Sequence, residues 1–136
     1  MDKIIGMGNA LVDVLVTLSD EKMLDEMNLT KGSMTLIDEG KYLEISDKMS
    51  HMKSYISTGG SAGNTILALA NLGAAPGFIG KTGDDELGNF FKESGTERGI
   101  EMNILKSNLH TGVASTFVTP DGERTFATYL GAASQM

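Results

Sequence analysis

The chain has 136 residues, of which 40% are hydrophobic and 21% are charged, so it has the composition of one folded domain with a modest core. A formal net charge of −7 disfavours a nucleic-acid partner, and the absence of cysteine excludes disulfides and thiolate metal sites. No apolar run is long enough to span a membrane and no secretory signal begins the chain, so we expect a cytoplasmic protein with no membrane partner. The two histidines lie far apart, and we assign no metal ligands.

The spacing of apolar residues, glycines and helix-capping residues predicts the secondary structure in chain order. Up to residue 58 it predicts strands at 3–7, 11–18 and 34–37, a short helix that begins at Asp20, a helix over 41–52 and a strand at 53–58. After a Gly-Gly turn it predicts a helix over 62–72, a strand at 76–81, a helix that begins at Asp84, a strand at 101–105 and a hairpin of strands 113–119 and 123–130.

The middle of the chain alternates strands and helices, which is the pattern of a parallel sheet with crossover helices. The strands within 11–37 and 113–130 have no crossover helix between partners. We therefore expect them to form a small antiparallel sheet apart from the main layer.

The segment 59–64, with the sequence GGSAGN, joins a predicted strand to a predicted helix. Its two glycines let the main chain approach a ligand closely, and the first N–H groups of the helix point at whatever lies over them. Asn64 would add an amide donor and acceptor. The same residues also suit a tight turn with close helix–sheet packing, and geometry alone gives the two interpretations equal weight.

Asp13 lies inside the apolar run Leu-Val-Asp-Val-Leu-Val. An unpaired carboxylate is costly to bury, so Asp13 must be paired, directed into a polar cleft, or placed on the solvent face of a half-exposed strand. Arg124 has a similar position beside the last turn, where an exposed arginine is usually structural. The residues alone leave these alternatives open.

Two segments carry a resemblance to a known family. The sequences GMGNALVD at 6–13 and GGSAGNT at 59–65, with glycines at 73, 80, 83 and 88, resemble the ribokinase-like (PfkB) family of sugar and nucleoside kinases. The resemblance covers essentially the whole chain. Within the family, the first segment and the short helix before the sequence KGSM at 31–34 look most like the adenosine kinases.

This resemblance implies an α/β, ribokinase-like but incomplete fold: a Rossmann-like parallel sheet with crossover helices and a small β-sheet lid formed by about 11–37 and 113–130. It places Asp13 at the hydroxyls of a sugar or ribose, with Asn9 beside it. In the same pocket it places Gly59, Gly60 and Asn64, with Leu36, Ala114 and Leu130 over a base and Arg124 near the transferred phosphate.

The family's catalytic base and anion hole come from a Gly-Ala-Gly-Asp segment, and this sequence has no such run. We therefore expect the N-terminal half of an ATP- and Mg²⁺-dependent kinase, which binds the sugar or nucleoside but contains no catalytic residue and is inactive alone. The lid strands would also allow a homodimer.

Two other functions stay open at this point. A dinucleotide-binding oxidoreductase domain is compatible with the strand–helix alternation, but the glycines of the first turn lead into a strand and lack the required Gly-x-Gly-x-x-Gly spacing. A non-catalytic binding or pairing module would use exposed lid strands as its interface.

Overall fold

A computed structural model describes residues 2–136, which form two β-sheets with helices. In chain order the elements are β1 (Ile5–Met7), β2 (Leu11–Thr17), α1 (Lys22–Glu26), β3 (Met34–Leu36), α2 (Glu39–Met49), β4 (Ser54–Gly59), α3 (Ser61–Asn71), β5 (Gly77–Gly83), α4 (Glu86–Glu97), β6 (Glu101–Ser107), β7 (Gly112–Val118), β8 (Arg124–Tyr129) and a short 3-10 helix (Gly131–Gln135). None of the helices in this described part combines the length and apolar character that a membrane crossing requires.

The chain divides into two compact units. The first contains the residues up to Val12 together with Thr58–Gly112 and Leu130–Met136. The second contains Asp13–Ser57 and Val113–Tyr129. The second unit therefore includes α2 and most of β4 in addition to most of the two segments that we expected to form a lid.

The first unit is built on a parallel sheet with the strand order β1-β5-β6. On one face, Phe78 of β5 packs against Phe91 of α4 with 5.6 Å between ring centroids. The opposite face carries Ile5, Met7 and Leu105, each more than half exposed. The prediction of a parallel sheet with helical crossovers is confirmed.

The second unit is built on a five-stranded sheet with the order β3-β8-β7-β2-β4. One face of this sheet packs on α1 and α2. The core there contains fully buried Val16, Met27, Ile45 and Phe117. Successive side chains of a strand point to opposite faces, so Val16 points into this core and its neighbours Leu15 and Thr17 point to the other face.

Two expectations about the sheets are wrong. The strand predicted at 53–58 belongs to the five-stranded sheet and not to the parallel layer. That sheet is mixed and not antiparallel, since β7 and β8 are antiparallel whereas β3 runs parallel to β8. A strand's own residue pattern shows which face is buried, but it does not identify the neighbouring strand or its direction.

The predicted starts of two helices also need correction. Asp85, and not Asp84, is the N-cap of α4, because its extended backbone lets the carboxylate accept the Gly88 N–H at 2.8 Å. Glu21 occupies the N-cap position of α1, although the Asp20 carboxylate still accepts the Lys22 N–H at 2.9 Å.

Candidate functional site

The turn between β4 and α3 brings two predicted site residues of the first unit together. Gly60 has a φ of +89°, a backbone conformation that residues with a Cβ rarely adopt. A Cβ on Gly60 would lie 2.5 Å from the carbonyl oxygen of Asn9. Gly60 is therefore required both by its backbone conformation and by the close approach of the Asn9 main chain.

The N-terminus of α3 has no side-chain cap. Asp38 and Asp85 cap α2 and α4, whereas Gly60 occupies the capping position of α3 and has no side chain to offer. The Asn64 N–H donates to the Gly60 carbonyl at 2.9 Å. Its amide side chain is exposed, as is that of Asn9, and neither makes a hydrogen bond within residues 2–136.

In the second unit, strand register arranges several predicted residues on one surface. Strands β2 and β7 are neighbours in the sheet. The N–H of Leu18, just after the C-terminal end of β2, donates to the carbonyl of Val118, the last residue of β7, at 2.8 Å. The C-terminal ends of the two strands therefore lie side by side, and the strands run parallel. This register puts Asp13 level with Ala114. Ala114 pairs with Thr128 of β8, and Thr128 pairs with Leu36 of β3.

Asp13, Ala114, Thr128 and Leu36 thus form one row across the sheet, on the face opposite the α1–α2 core. We call this face the open face. It includes Asp13, Leu15, Met34, Leu36, Ala114, Thr116, Arg124, Phe126 and Thr128. Ala114, Thr116 and Thr128, near its centre, are buried, whereas Met34 and Leu36 at its edge are exposed.

The Asp13 carboxylate is half-buried, and no residue among 2–136 gives it a hydrogen bond or an ion pair. Burial raises the pKa of this carboxyl above its ordinary value of 3.8, and no donor or cation offsets the effect. Of the alternatives left open by the sequence, pairing within the described chain is excluded. An ionised, partly desolvated and unpaired acceptor is suited to hydrogen bonds from ligand hydroxyls.

The apolar part of the open face is larger than the sequence analysis anticipated. Met34 pairs with Phe126 in the row next to Leu36 and Thr128, and Met34 and Leu36 are 59% and 60% exposed. Sequence reasoning missed Met34 and Phe126. Alternation along β8 from Arg124 could have found Phe126, and alternation along β3 from Leu36 could have found Met34.

Two predicted residues lie away from the Asp13 row. Arg124 is on the open face but four residues from Thr128, which is about 13 Å along an extended strand. Its guanidinium has no hydrogen bond or ion pair among residues 2–136. Leu130 follows the end of β8 and belongs to the first unit.

The described residues contain no metal cluster and no phosphate-binding loop of their own. Within residues 2–136 no three histidine, aspartate or glutamate side chains converge as a metal site. No phosphate-binding loop is present in the sequence either. We therefore derive no step through ATP or Mg²⁺ from this chain.

Comparison with known proteins identifies the family. The model of the pfkB family of carbohydrate kinases matches residues 26–136. The chain belongs to this family. The fold agrees, since the adenosine kinase of Sinorhizobium meliloti superimposes with a TM-score of 0.82 at 34% identity, over 98% of this chain and 41% of that one.

Curated relatives of the chain include kinases with different substrates in their names. The aminoimidazole riboside kinase of Salmonella typhimurium is 38% identical over 74 residues, which are 53% of this chain and 23% of the relative. Fructokinase-1 of Oryza sativa is 31% identical over 80 residues, which are 57% of this chain and 25% of the relative. The chain therefore spans well under half the length of these relatives.

Proposed function

We propose that this chain is the substrate-binding part of a pfkB-family kinase that phosphorylates a primary hydroxyl of an adenosine-like nucleoside. Sugar or nucleoside phosphorylation in general follows from the family. Kinases of this kind transfer the γ-phosphoryl group of ATP with Mg²⁺ bound to the nucleotide. We assign the catalytic base and the nucleotide site to residues outside this chain, and we propose that the chain alone does not transfer phosphate.

The observation that carries the proposal is the half-buried, unpartnered carboxylate of Asp13 in a row with apolar residues. Two adjacent ribose hydroxyls can both donate to one carboxylate, and such charge-assisted hydrogen bonds are worth about 1.5–3 kcal/mol each. Leu36 in the same row, and Met34 and Phe126 in the next, offer an apolar surface for a flat base beside buried Ala114. A free sugar would leave that surface exposed, which is why we favour a nucleoside.

We propose that the turn at Gly60, in the first unit, also binds substrate. Its bare main chain, the uncapped first turn of α3 and the free amides of Asn9 and Asn64 are suited to ligand hydroxyls. We assign these groups and Gly59 to the sugar, and Arg124 to the phosphoryl group.

The test is a binding measurement on the chain itself. Isothermal calorimetry with adenosine, ribose and fructose should show the tightest binding for adenosine. Asp13→Asn should weaken adenosine binding about ten- to hundredfold, which is the value of one such hydrogen bond. Asp47→Asn, which changes an exposed carboxylate on α2 of the same unit, should leave binding unchanged. Equal affinities of Asp13→Asn and the unsubstituted chain would remove Asp13 from the site.

A further inference from the structure

The second unit contains an ion-pair cluster of Glu21, Lys31 and Asp121, none of which is a proposed ligand contact. Lys31 Nζ lies 2.6 Å from an Asp121 carboxylate oxygen and also pairs with Glu21. The other Asp121 oxygen accepts the Thr119 hydroxyl at 2.7 Å and the Glu123 N–H at 3.3 Å. Asp121 thus shapes the turn between β7 and β8 with one oxygen and holds Lys31 with the other.

The pKa values of this cluster reflect the same contacts. Hydrogen bonding to Lys31, then to Thr119 and Glu123, keeps the pKa of Asp121 well below its ordinary range. Hydrogen bonds to Asp121 and Glu21 raise the pKa of Lys31. Both groups therefore stay charged at neutral pH, and the pair persists there.

Lys31 lies three residues before the first residue of β3, the shortest strand of the five-stranded sheet. Strand β3 has three residues and lies at the sheet edge, where it pairs only with β8. Three flanking hydrogen bonds of 2.9 Å attach it: Gly32 N–H to the Thr125 hydroxyl, Phe126 N–H to the Ser33 carbonyl and Ile37 N–H to the Thr128 carbonyl. So short an edge strand depends on what anchors its ends, because local opening starts where few bonds must break.

We infer that Lys31 is a positioning residue for substrate: by joining the start of β3 to the β7–β8 turn, it keeps Met34 and Leu36 on the open face. The inference rests on the proposed nucleoside site. The ammonium group of Lys31 pairs with Glu21 and Asp121 and not with a proposed ligand contact. Asp13, on β2, does not depend on this anchor, so the loss of Lys31 should impair base binding and leave the hydroxyl contacts intact.

The anchor is open to a direct physical test. Lys31→Met keeps most of the side-chain length without the charge, and Lys31→Arg keeps the charge. The control is Lys48→Met, which removes a different exposed ion pair of the same unit, in which Lys48 Nζ lies 3.5 Å from a carboxylate oxygen of Glu26 on α1. Amide hydrogen exchange should accelerate at Ile37 and Phe126 in Lys31→Met. It should stay unchanged there in Lys48→Met and in Lys31→Arg.

The functional arm compares a ligand that needs the apolar surface with one that does not. Adenosine affinity of Lys31→Met should fall about two- to fivefold, ribose affinity should not change, and Lys31→Arg should recover adenosine binding. Unchanged adenosine binding and exchange in Lys31→Met would overturn the inference while leaving the proposed function intact. An equal loss for adenosine and ribose would also overturn it, since it would indicate general destabilisation. If the unsubstituted chain binds neither ligand, the proposed function fails and takes this inference with it.

Discussion

The main chains of Asn9 and Gly60 approach so closely that a Cβ on Gly60 would lie 2.5 Å from the Asn9 carbonyl oxygen. Such a contact requires the neighbouring backbone to move. The contact joins the loop after β1 to the loop before α3, and both loops carry residues that we assign to the substrate.

Gly60→Ala should therefore destabilise the chain by more than its backbone strain alone. Gly73→Ala is the matched control, since Gly73 has a similar φ of +93° but nothing within 4 Å of an added Cβ. Strain at positive φ costs about 1–2 kcal/mol, and Gly60→Ala should cost this amount plus the displacement of Asn9. Urea unfolding measures both values. Equal losses for the two variants would show that the Asn9 contact is not restrictive.

The Asp13 side chain should be unfavourable for stability and favourable for binding. Burial raises the pKa of Asp13 in the folded chain. The free energy of unfolding therefore falls as the pH rises from 3.8 through the raised folded value, and the full loss remains at pH 7. Asp13→Asn should therefore melt at a higher temperature than the unsubstituted chain at pH 7, while Asp47→Asn should not. Thermal unfolding followed by circular dichroism gives the answer. A lower melting temperature for Asp13→Asn would mean that the carboxylate has a stabilising partner.

Asp85 should behave in the opposite way. Its carboxylate accepts hydrogen bonds from the Gly88 N–H, the Thr111 N–H and the Thr111 hydroxyl. Burial acts to raise the pKa of Asp85, but these hydrogen bonds and the nearby His110 outweigh it, and the pKa lies below 3.8. Its contribution to stability is present above pH 3.8 and is lost as the pH falls through the lower folded value.

Asp85→Ala should lower the free energy of unfolding by about 1–3 kcal/mol, because it removes a helix cap and leaves buried Thr111 with fewer partners. Asp84→Ala, one residue earlier and exposed, should cost less than about 0.5 kcal/mol. Comparable losses would mean that either carboxylate can cap α4.

The exposed face of the parallel sheet should make the chain self-associate. Met7 is 67% exposed and Leu105 is 55% exposed on this face. Met7→Glu should shift sedimentation-velocity profiles towards monomer. Leu72→Glu, at a site that is 84% exposed at the end of α3, should not. A monomeric unsubstituted chain at high concentration would contradict this prediction.

Much of the fold could be predicted from local pattern, because glycines and apolar periodicity act over a few residues. The turn at Gly60 and the strand that carries Asp13 are examples. The identity of the cap of α4 could not be predicted, since the carboxylate that is used depends on Thr111, which is distant in sequence. The residue pattern alone did not predict the row that joins Asp13 to Leu36, because the row depends on the register of four strands, and no local pattern sets register between segments so far apart. Only the family resemblance placed these residues in one pocket.

The most direct test of the account is the pKa of the Asp13 carboxyl, measured by carbon NMR with and without adenosine. The free chain should show a pKa above 3.8, because burial disfavours the charged form. Adenosine should lower it, since hydroxyl donors stabilise the ionised carboxylate. The claim that Asp13 holds the substrate would be contradicted if adenosine bound without changing the pKa of Asp13. It would also be contradicted if the chain did not bind adenosine.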